Sequence, residues 1–245
     1  MAVKLNLTPQ QKKLKEKIIV ALDTPSLDVV KKLVRELKGF VDVYKIGSEL
    51  FTAQGWDALK VVIDSGARVF LDLKYHDIPN TVAKAALVAC EKEIFMFNVH
   101  TLGGIDMMKA AKEAVDERVK LGTNRPIILG VTVLTSHSEK NLKDLGIERA
   151  LRDQVLYLAG MAKKAGLDGV VSSPREVEML RKEFGPDFVI VTPGIRPPGS
   201  PKDDQKRTLS PKEAFDEGAS YIVVGRPVAA AHSPKEAMAK IISEL

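Results

Sequence analysis

Two hydrophobic periods alternate along almost the whole chain. Short runs rich in Val, Ile and Leu recur at 18–23, 43–47, 68–74, 94–100, 126–133, 169–173, 188–194 and 221–225. Runs of this length and β-branched content read as strands, and their near-continuous apolar character fits strands covered on both faces. Between them, apolar residues fall at three- and four-residue spacing over 26–38, 79–92, 105–120, 149–164 and 174–184, the period of helices packed on a core. Ser26 and Ser173 stand where helix N-caps belong, and Gly39 and Gly166 where helices should stop. Thr8 followed by Pro9 repeats the N-cap signal and predicts a short N-terminal helix over about 8–17.

Eight strands, each followed by helical sequence, predict an α/β fold of the (β/α)₈ TIM-barrel kind. An open doubly wound sheet is the alternative that pattern alone leaves standing. The 245 residues show no low-complexity linker and no shift in composition, so one barrel domain is expected over 1–245. One segment breaks the rhythm. Residues 193–208 are rich in Pro, Gly and charge, lack periodicity and exceed an ordinary connection. Such segments are functional lids or disordered, and the place of this one after the seventh strand favours a lid over about 194–208.

Composition narrows the function classes. The chain is 45% hydrophobic and 28% charged, ordinary for a soluble protein with a full core. Its net charge of +5 comes from 37 basic and 32 acidic residues scattered along the sequence. Scattered charge tolerates an anionic small ligand but builds no nucleic-acid patch, and aromatics at 5% offer no stacking platform for single strands. The single Cys90 excludes an intramolecular disulfide; it sits in an apolar helical run and reads as a buried thiol in preference to a nucleophile. No apolar leader follows Met1 and no run of ~18 apolar residues occurs, so no membrane partner and a cytoplasmic location are expected.

In a parallel barrel the active site lies at the carboxyl ends of the strands. Those ends carry Asp23 on the first strand, Lys45 on the second, and Asp72 with Lys74 on the third, with Asp77 just beyond. Alternation puts Phe70, Asp72 and Lys74 on one face and Val69, Leu71 and Leu73 on the other. The apolar face must meet the helices, which leaves Asp72 and Lys74 pointing into the barrel mouth. A buried ion pair plugging the barrel is the plain alternative, but such pairs add little stability and a plug needs no convergence of five charges. Gly225-Arg226-Pro227 closes the eighth strand, and Thr192 to Arg196 closes the seventh. Two guanidiniums, a glycine and a helix start at these two loops suit a phosphate; two solvated surface arginines are the plain alternative.

No metal is expected. His76, His100, His137 and His232 are dispersed, and Lys45 and Lys74 would compete with a cation for the carboxylates. No Gly-x-Gly-x-x-Gly follows the first strand, so no dinucleotide is expected either. Tyr75 and His76 read as packing or hydrogen-bonding residues, and His137 receives no role.

The stretch Asp72-Leu73-Lys74-Tyr75-His76-Asp77-Ile78-Pro79-Asn80-Thr81-Val82 closely resembles the signature of the orotidine 5′-phosphate decarboxylase family. Val20-Ala21-Leu22-Asp23, Lys45-Ile46-Gly47, Leu134-Thr135-Ser136, Thr192 to Arg196, Gln205 and Val224-Gly225-Arg226-Pro227 follow in family order, so the resemblance runs from residue 18 to the last helix. It is closest to the bacterial-type branch, with its longer loop after strand seven. The resemblance implies decarboxylation of orotidine 5′-phosphate to uridine 5′-monophosphate in pyrimidine nucleotide biosynthesis, with no cofactor. It implies that Lys74 protonates C6 of the pyrimidine, flanked by Asp72 and Asp77 with Lys45 completing the charge array. Asp23 and Lys45 would touch the ribose, Thr135, Ser136 and Pro193 would line the base, and Arg196, Gln205, Gly225 and Arg226 would hold the phosphate. It further implies a homodimer in which Asp77, Ile78 and Thr81 enter the neighbouring subunit's site. The nearest rivals share the barrel and an Asp-x-Lys-x-x-Asp motif but act on sugar phosphates through Mg²⁺ and an enediolate, with an acidic residue on strand two. Lys45 stands there instead.

Overall fold

The eight strands pair in chain order, all parallel, and the first closes on the eighth. The computed structural model describes residues 7–197 and 209–245. Its strands are β1 (Ile18–Ala21), β2 (Val43–Gly47), β3 (Arg68–Tyr75), β4 (Met96–His100), β5 (Ile127–Val131), β6 (Gly169–Val171), β7 (Val189–Thr192) and β8 (Tyr221–Val224). The first six helices are α1 (Pro9–Lys15), α2 (Leu27–Glu36), α3 (Ser48–Gln54), α4 (Trp56–Asp64), α5 (Pro79–Glu91) and α6 (Gly104–Lys120). They are followed by α7 (Glu139–Asp144), α8 (Leu151–Lys164), α9 (Val177–Phe184), α10 (Pro211–Asp216), α11 (Arg226–Ala229) and α12 (Pro234–Ser243). Closure decides between the two sheet arrangements that periodicity left open: this is a (β/α)₈ barrel.

The punctuation residues do what their chemistry allows. Thr8 accepts the Gln11 N–H in a capping box, with Pro9 in the first turn. Ser26 accepts the Val29 N–H, and Val30, Leu33 and Val34 of α2 turn inward at three- and four-residue spacing. Gly39 and Gly166 take φ of +83° and +82° just past their helices.

Alternation along the strands divides the core into two layers. Ile19, Ala21, Val43, Phe70, Met96, Leu129, Val191 and Val223 fill the barrel interior. Val20, Tyr44, Ile46, Val69, Leu71, Phe97, Val99, Ile128 and Ile190 pack outward against the helices. Each fully buried Ile, Leu or Phe contributes roughly 1.5–3 kcal/mol relative to exposure, so this two-sided burial outweighs the weak helix propensity of the short segments. The inner positions at the carboxyl ends lie above this apolar plug, and there charge replaces hydrocarbon.

Most strands end one or two residues earlier than periodicity predicts, because their last residues leave the ladder to form the site. Strand β3 does the opposite and carries an irregularity. Leu71 pairs with Phe97 and Tyr75 with Val99, so four steps along β3 span two along β4. Within this bulge Lys74 has φ +51°, a left-handed conformation that costs a non-glycine residue about 1–2 kcal/mol. Among the described residues only Lys74 and Glu93 combine a side chain with positive φ.

Candidate active site

Lys74 and its bulge lie at the edge of a cavity of about 500 Å³ at the carboxyl end of the barrel. The walls are of two kinds. One half is charged, with Asp23, Lys45, Asp72, Lys74, Arg196 and Arg226; the other is apolar, with Val131, Val133, Leu134 and Val171 among its members. Thr135, Pro193 and Gly225 complete the rim.

The charges form one continuous chain. Lys45 Nζ lies 3.1 Å from Asp23 Oδ1 and 3.4 Å from Asp72 Oδ2, and Lys74 Nζ lies 2.7 Å from Asp72 Oδ1. Lys45 and Asp72 side chains are only 12% and 13% exposed, whereas Lys74 is 37% exposed. The inner pair is therefore fixed and the outer ammonium faces the cavity. Burial disfavours the charge on Lys45, but Asp72 and then Asp23 outweigh it and hold the ammonium above the ordinary lysine range. Gly47 gives this side chain its passage, because a Cβ there would stand 3.0 Å from Lys45 Nζ.

Asn98 joins this chain from β4. Its amide oxygen accepts the Lys74 backbone N–H at 2.8 Å, and its amide nitrogen donates to Asp72 Oδ1 at 2.7 Å. Beyond it His76 and His100 stack with ring centres 5.4 Å apart. His100 Nδ1 accepts the Leu102 N–H. Burial, then His76, Lys74 and His137, push the His100 imidazole down to about 4, so it is neutral near pH 7.

The phosphate candidates gather at the opposite rim. Ile195 and Leu209 form a bridge, and the Arg196 N–H donates to Leu209 O at 2.9 Å, so the two ends of the long loop meet beside the cavity. The helix that follows Gly225 is only the four-residue α11, which corrects the weight placed on a helix dipole at this end. The Arg196 and Arg226 side chains are the stronger feature. A Cβ on Gly225 would stand at ordinary contact distance, 3.6 Å, from Asp23 Oδ2, so Gly225 lies beside the charged chain.

The chain is similar to known proteins over nearly its whole length. The family model described as orotidine 5′-phosphate decarboxylase / HUMPS matches residues 16–241. The chain belongs to this family. It is 50% identical over 232 residues to an orotidine 5′-phosphate decarboxylase of Syntrophotalea carbinolica, covering 94% of this chain and 95% of that one. A protein of the same name from Moorella thermoacetica is 50% identical over 233 residues, covering 94% and 92%. Among solved structures, an orotidine 5′-phosphate decarboxylase of Lactobacillus acidophilus superposes with TM-score 0.82 at 40% identity, covering 94% of this chain and 98% of that one. An uncharacterized conserved protein of Geobacillus kaustophilus superposes with TM-score 0.81 at 36% identity, covering 93% and 99%.

Family membership leaves the placement of individual residues to the structure. Asp23, Lys45, Asp72, Lys74, Thr135, Pro193, Arg196, Gly225 and Arg226 all line the cavity. Ser136 is exposed and does not line it, and the same holds for Asp77, Ile78 and Thr81 at the start of α5. Gln205 and residues 198–208 of the expected lid lie outside the described residues. Sequence reasoning missed Asn98, although alternation places it on the inner face of β4 between Met96 and His100. It also missed the apolar wall of Val131, Val133 and Val171, which nothing in the sequence separates from ordinary core. Among the described residues no group of three or more His, Cys, Asp or Glu is arranged to hold a metal ion. No described helix is long and apolar enough to cross a membrane.

Proposed function

We propose that this chain decarboxylates orotidine 5′-phosphate to uridine 5′-monophosphate and CO₂ with no metal and no organic cofactor. The observation that carries the reading is the chain Asp23–Lys45–Asp72–Lys74 at the mouth of a half-apolar cavity. The bond between C6 and its carboxylate breaks, the electron pair stays on C6, and Lys74 Nζ gives a proton to that carbon and regains one from water. With no cofactor to delocalise the pair, fixed charge must do so. An ammonium is drawn more strongly to a carbanion than to a neutral ring carbon, which lowers the barrier selectively. Opposite charges ~4 Å apart attract by roughly 4 kcal/mol at an effective dielectric near 20, enough to keep Lys74 beside Asp72. The apolar wall suits a flat ring and released CO₂. Arg196 and Arg226, with Gly225 and Gln205, take the phosphate.

Lys45 separates this reading from the enediolate chemistry of sugar-phosphate relatives. Its ammonium lies between Asp23 and Asp72 and contacts both, at the place where a divalent cation would need those carboxylates. The test is to add orotidine 5′-phosphate to chelator-treated protein and follow loss of the orotate absorbance. Undiminished turnover is expected; no turnover, or turnover abolished by chelation and restored by Mg²⁺, overturns the proposal.

We also propose a homodimer with shared sites. Asp77, Ile78 and Thr81 stand outside their own chain's cavity, and all three are exposed, which leaves them accessible to a neighbouring subunit. A carboxylate and a hydroxyl there suit the ribose in a neighbouring subunit's cavity. Mixing Lys74→Ala and Asp77→Ala subunits after joint refolding is expected to restore about a quarter of parent activity, since half the dimers are mixed and each holds one intact site. Mixed protein no more active than either variant alone would exclude shared sites.

A further inference from the structure

The bulge in β3 leaves Lys74 without the ladder partner a regular strand would provide. Asn98 lies on β4 between Phe97 and Val99, the two residues against which the bulge is measured. Its side chain takes over the missing bond by accepting the Lys74 backbone N–H at 2.8 Å. The same amide donates to Asp72 Oδ1 at 2.7 Å, the oxygen that Lys74 Nζ also contacts at 2.7 Å. Neighbour chemistry fixes the amide's orientation, since a backbone N–H must meet its oxygen and a carboxylate must meet its nitrogen. Asn98 is 1% exposed, so both bonds form in a site where an unmade bond costs about 1–3 kcal/mol.

We propose that Asn98 is a positioning residue for the decarboxylation, an inference that rests on the function proposed above. It ties the left-handed backbone of Lys74 to the carboxylate of Asp72, and so sets the point from which the ammonium meets C6. Lys45 binds the other Asp72 oxygen and holds it from the far side. Without Asn98, Asp72 keeps its two ammoniums but can rotate, and the bulge loses its only side-chain bond from β4 to the Lys74 N–H. An error of about 1 Å at a reacting group costs on the order of 10²-fold in rate.

Two variants test this. Asn98→Ser removes both contacts without adding bulk or charge. Its kcat is expected to fall about 10²-fold at every pH, while affinity for uridine 5′-monophosphate stays within about threefold. Asn98→Asp keeps the acceptor for the Lys74 N–H and replaces the donor by a carboxyl group. While that group is protonated its O–H can serve Asp72 as the amide did. Burial and the neighbouring carboxylate of Asp72 raise the new group's pKa. His100, next inward on β4, is neutral near pH 7 and adds no opposing charge. This variant is therefore expected to approach parent activity in acid and to lose it as pH rises through the new group's pKa, a descent the parent lacks.

Asn98→Ser within twofold of the parent at neutral pH overturns the proposal. So does an Asn98→Asp profile parallel to the parent's, or a fall in kcat matched by an equal fall in nucleotide affinity. Failure of both variants to fold also overturns it, since Asn98 would then serve stability. If only one folds, that variant's own criterion decides. A parent that does not turn over orotidine 5′-phosphate refutes the function itself, a result separable from any difference between variant and parent.

Discussion

Lys74→Ala should abolish turnover of orotidine 5′-phosphate, lowering kcat by about 10⁴-fold or more, while uridine 5′-monophosphate binds within a few fold of the parent. In the proposed reaction Lys74 Nζ is both the proton source at C6 and the cation facing the developing carbanion, so one truncation removes two effects that act mainly in the transition state. The product carries neither the departing carboxylate nor the carbanion, and Arg196, Arg226 and the apolar wall, which the proposal assigns to binding, still line the cavity. Lys74→Arg separates the two roles. A guanidinium keeps the positive charge but does not release its proton near neutral pH, so this variant should also fail to turn over. Backbone geometry adds a second signature. Lys74 holds φ +51°, and glycine adopts that angle without the side-chain penalty, so Lys74→Gly should melt above Lys74→Ala while being just as inactive. Decarboxylation within tenfold of the parent in Lys74→Ala would show that another group delivers the proton.

The same residue shows what the sequence could and could not tell. Strand alternation correctly puts Phe70 and Asp72 inside and Val69 and Leu71 outside, since a one-residue error would have turned charge into the helix layer. Lys74 also reaches the cavity, but through a bulge, which no periodicity predicts because two extra residues look like two more strand residues. The first-turn and stop residues were legible, Thr8, Ser26, Gly39 and Gly166 each acting through local chemistry. Barrel closure was expected from the count of eight strand–helix units, and an open sheet stayed as the alternative because a strand's sequence carries no record of its neighbour across the sheet. Asn98 was visible only as one polar residue in an apolar run, and its importance appears once β3 and β4 are laid side by side. Asp77, Ile78 and Thr81 are the reverse case, marked by the family signature yet standing outside their own chain's cavity.

Arg226→Ala should act on binding rather than on the chemical step. A guanidinium–phosphate contact is a charge-assisted hydrogen bond worth roughly 1.5–3 kcal/mol, so its loss should raise KM about 10- to 150-fold. Arg226 follows Gly225 at the end of β8, whereas Asp72 and Lys74 stand on β3. Some reduction in kcat is also expected, because binding energy from the phosphate helps hold the ring against Lys74. The decisive measurement compares orotidine 5′-phosphate with orotidine, which lacks the phosphate. If Arg226 works through the phosphate, truncating the side chain and truncating the substrate remove the same interaction, and the variant should handle orotidine as the parent does. Equal damage with both substrates would mean that Arg226 supports the rim and not the ligand. Unchanged saturation by orotidine 5′-phosphate would remove Arg226 from the phosphate site and leave Arg196 as its guanidinium. The two arginines are separable in this way because they come from different loops: Arg196 follows β7 at the clasp with Leu209, and Arg226 opens α11 after β8. A phosphate held between two independent loops can bring them together as it binds, which is how contacts remote from C6 can reach the rate.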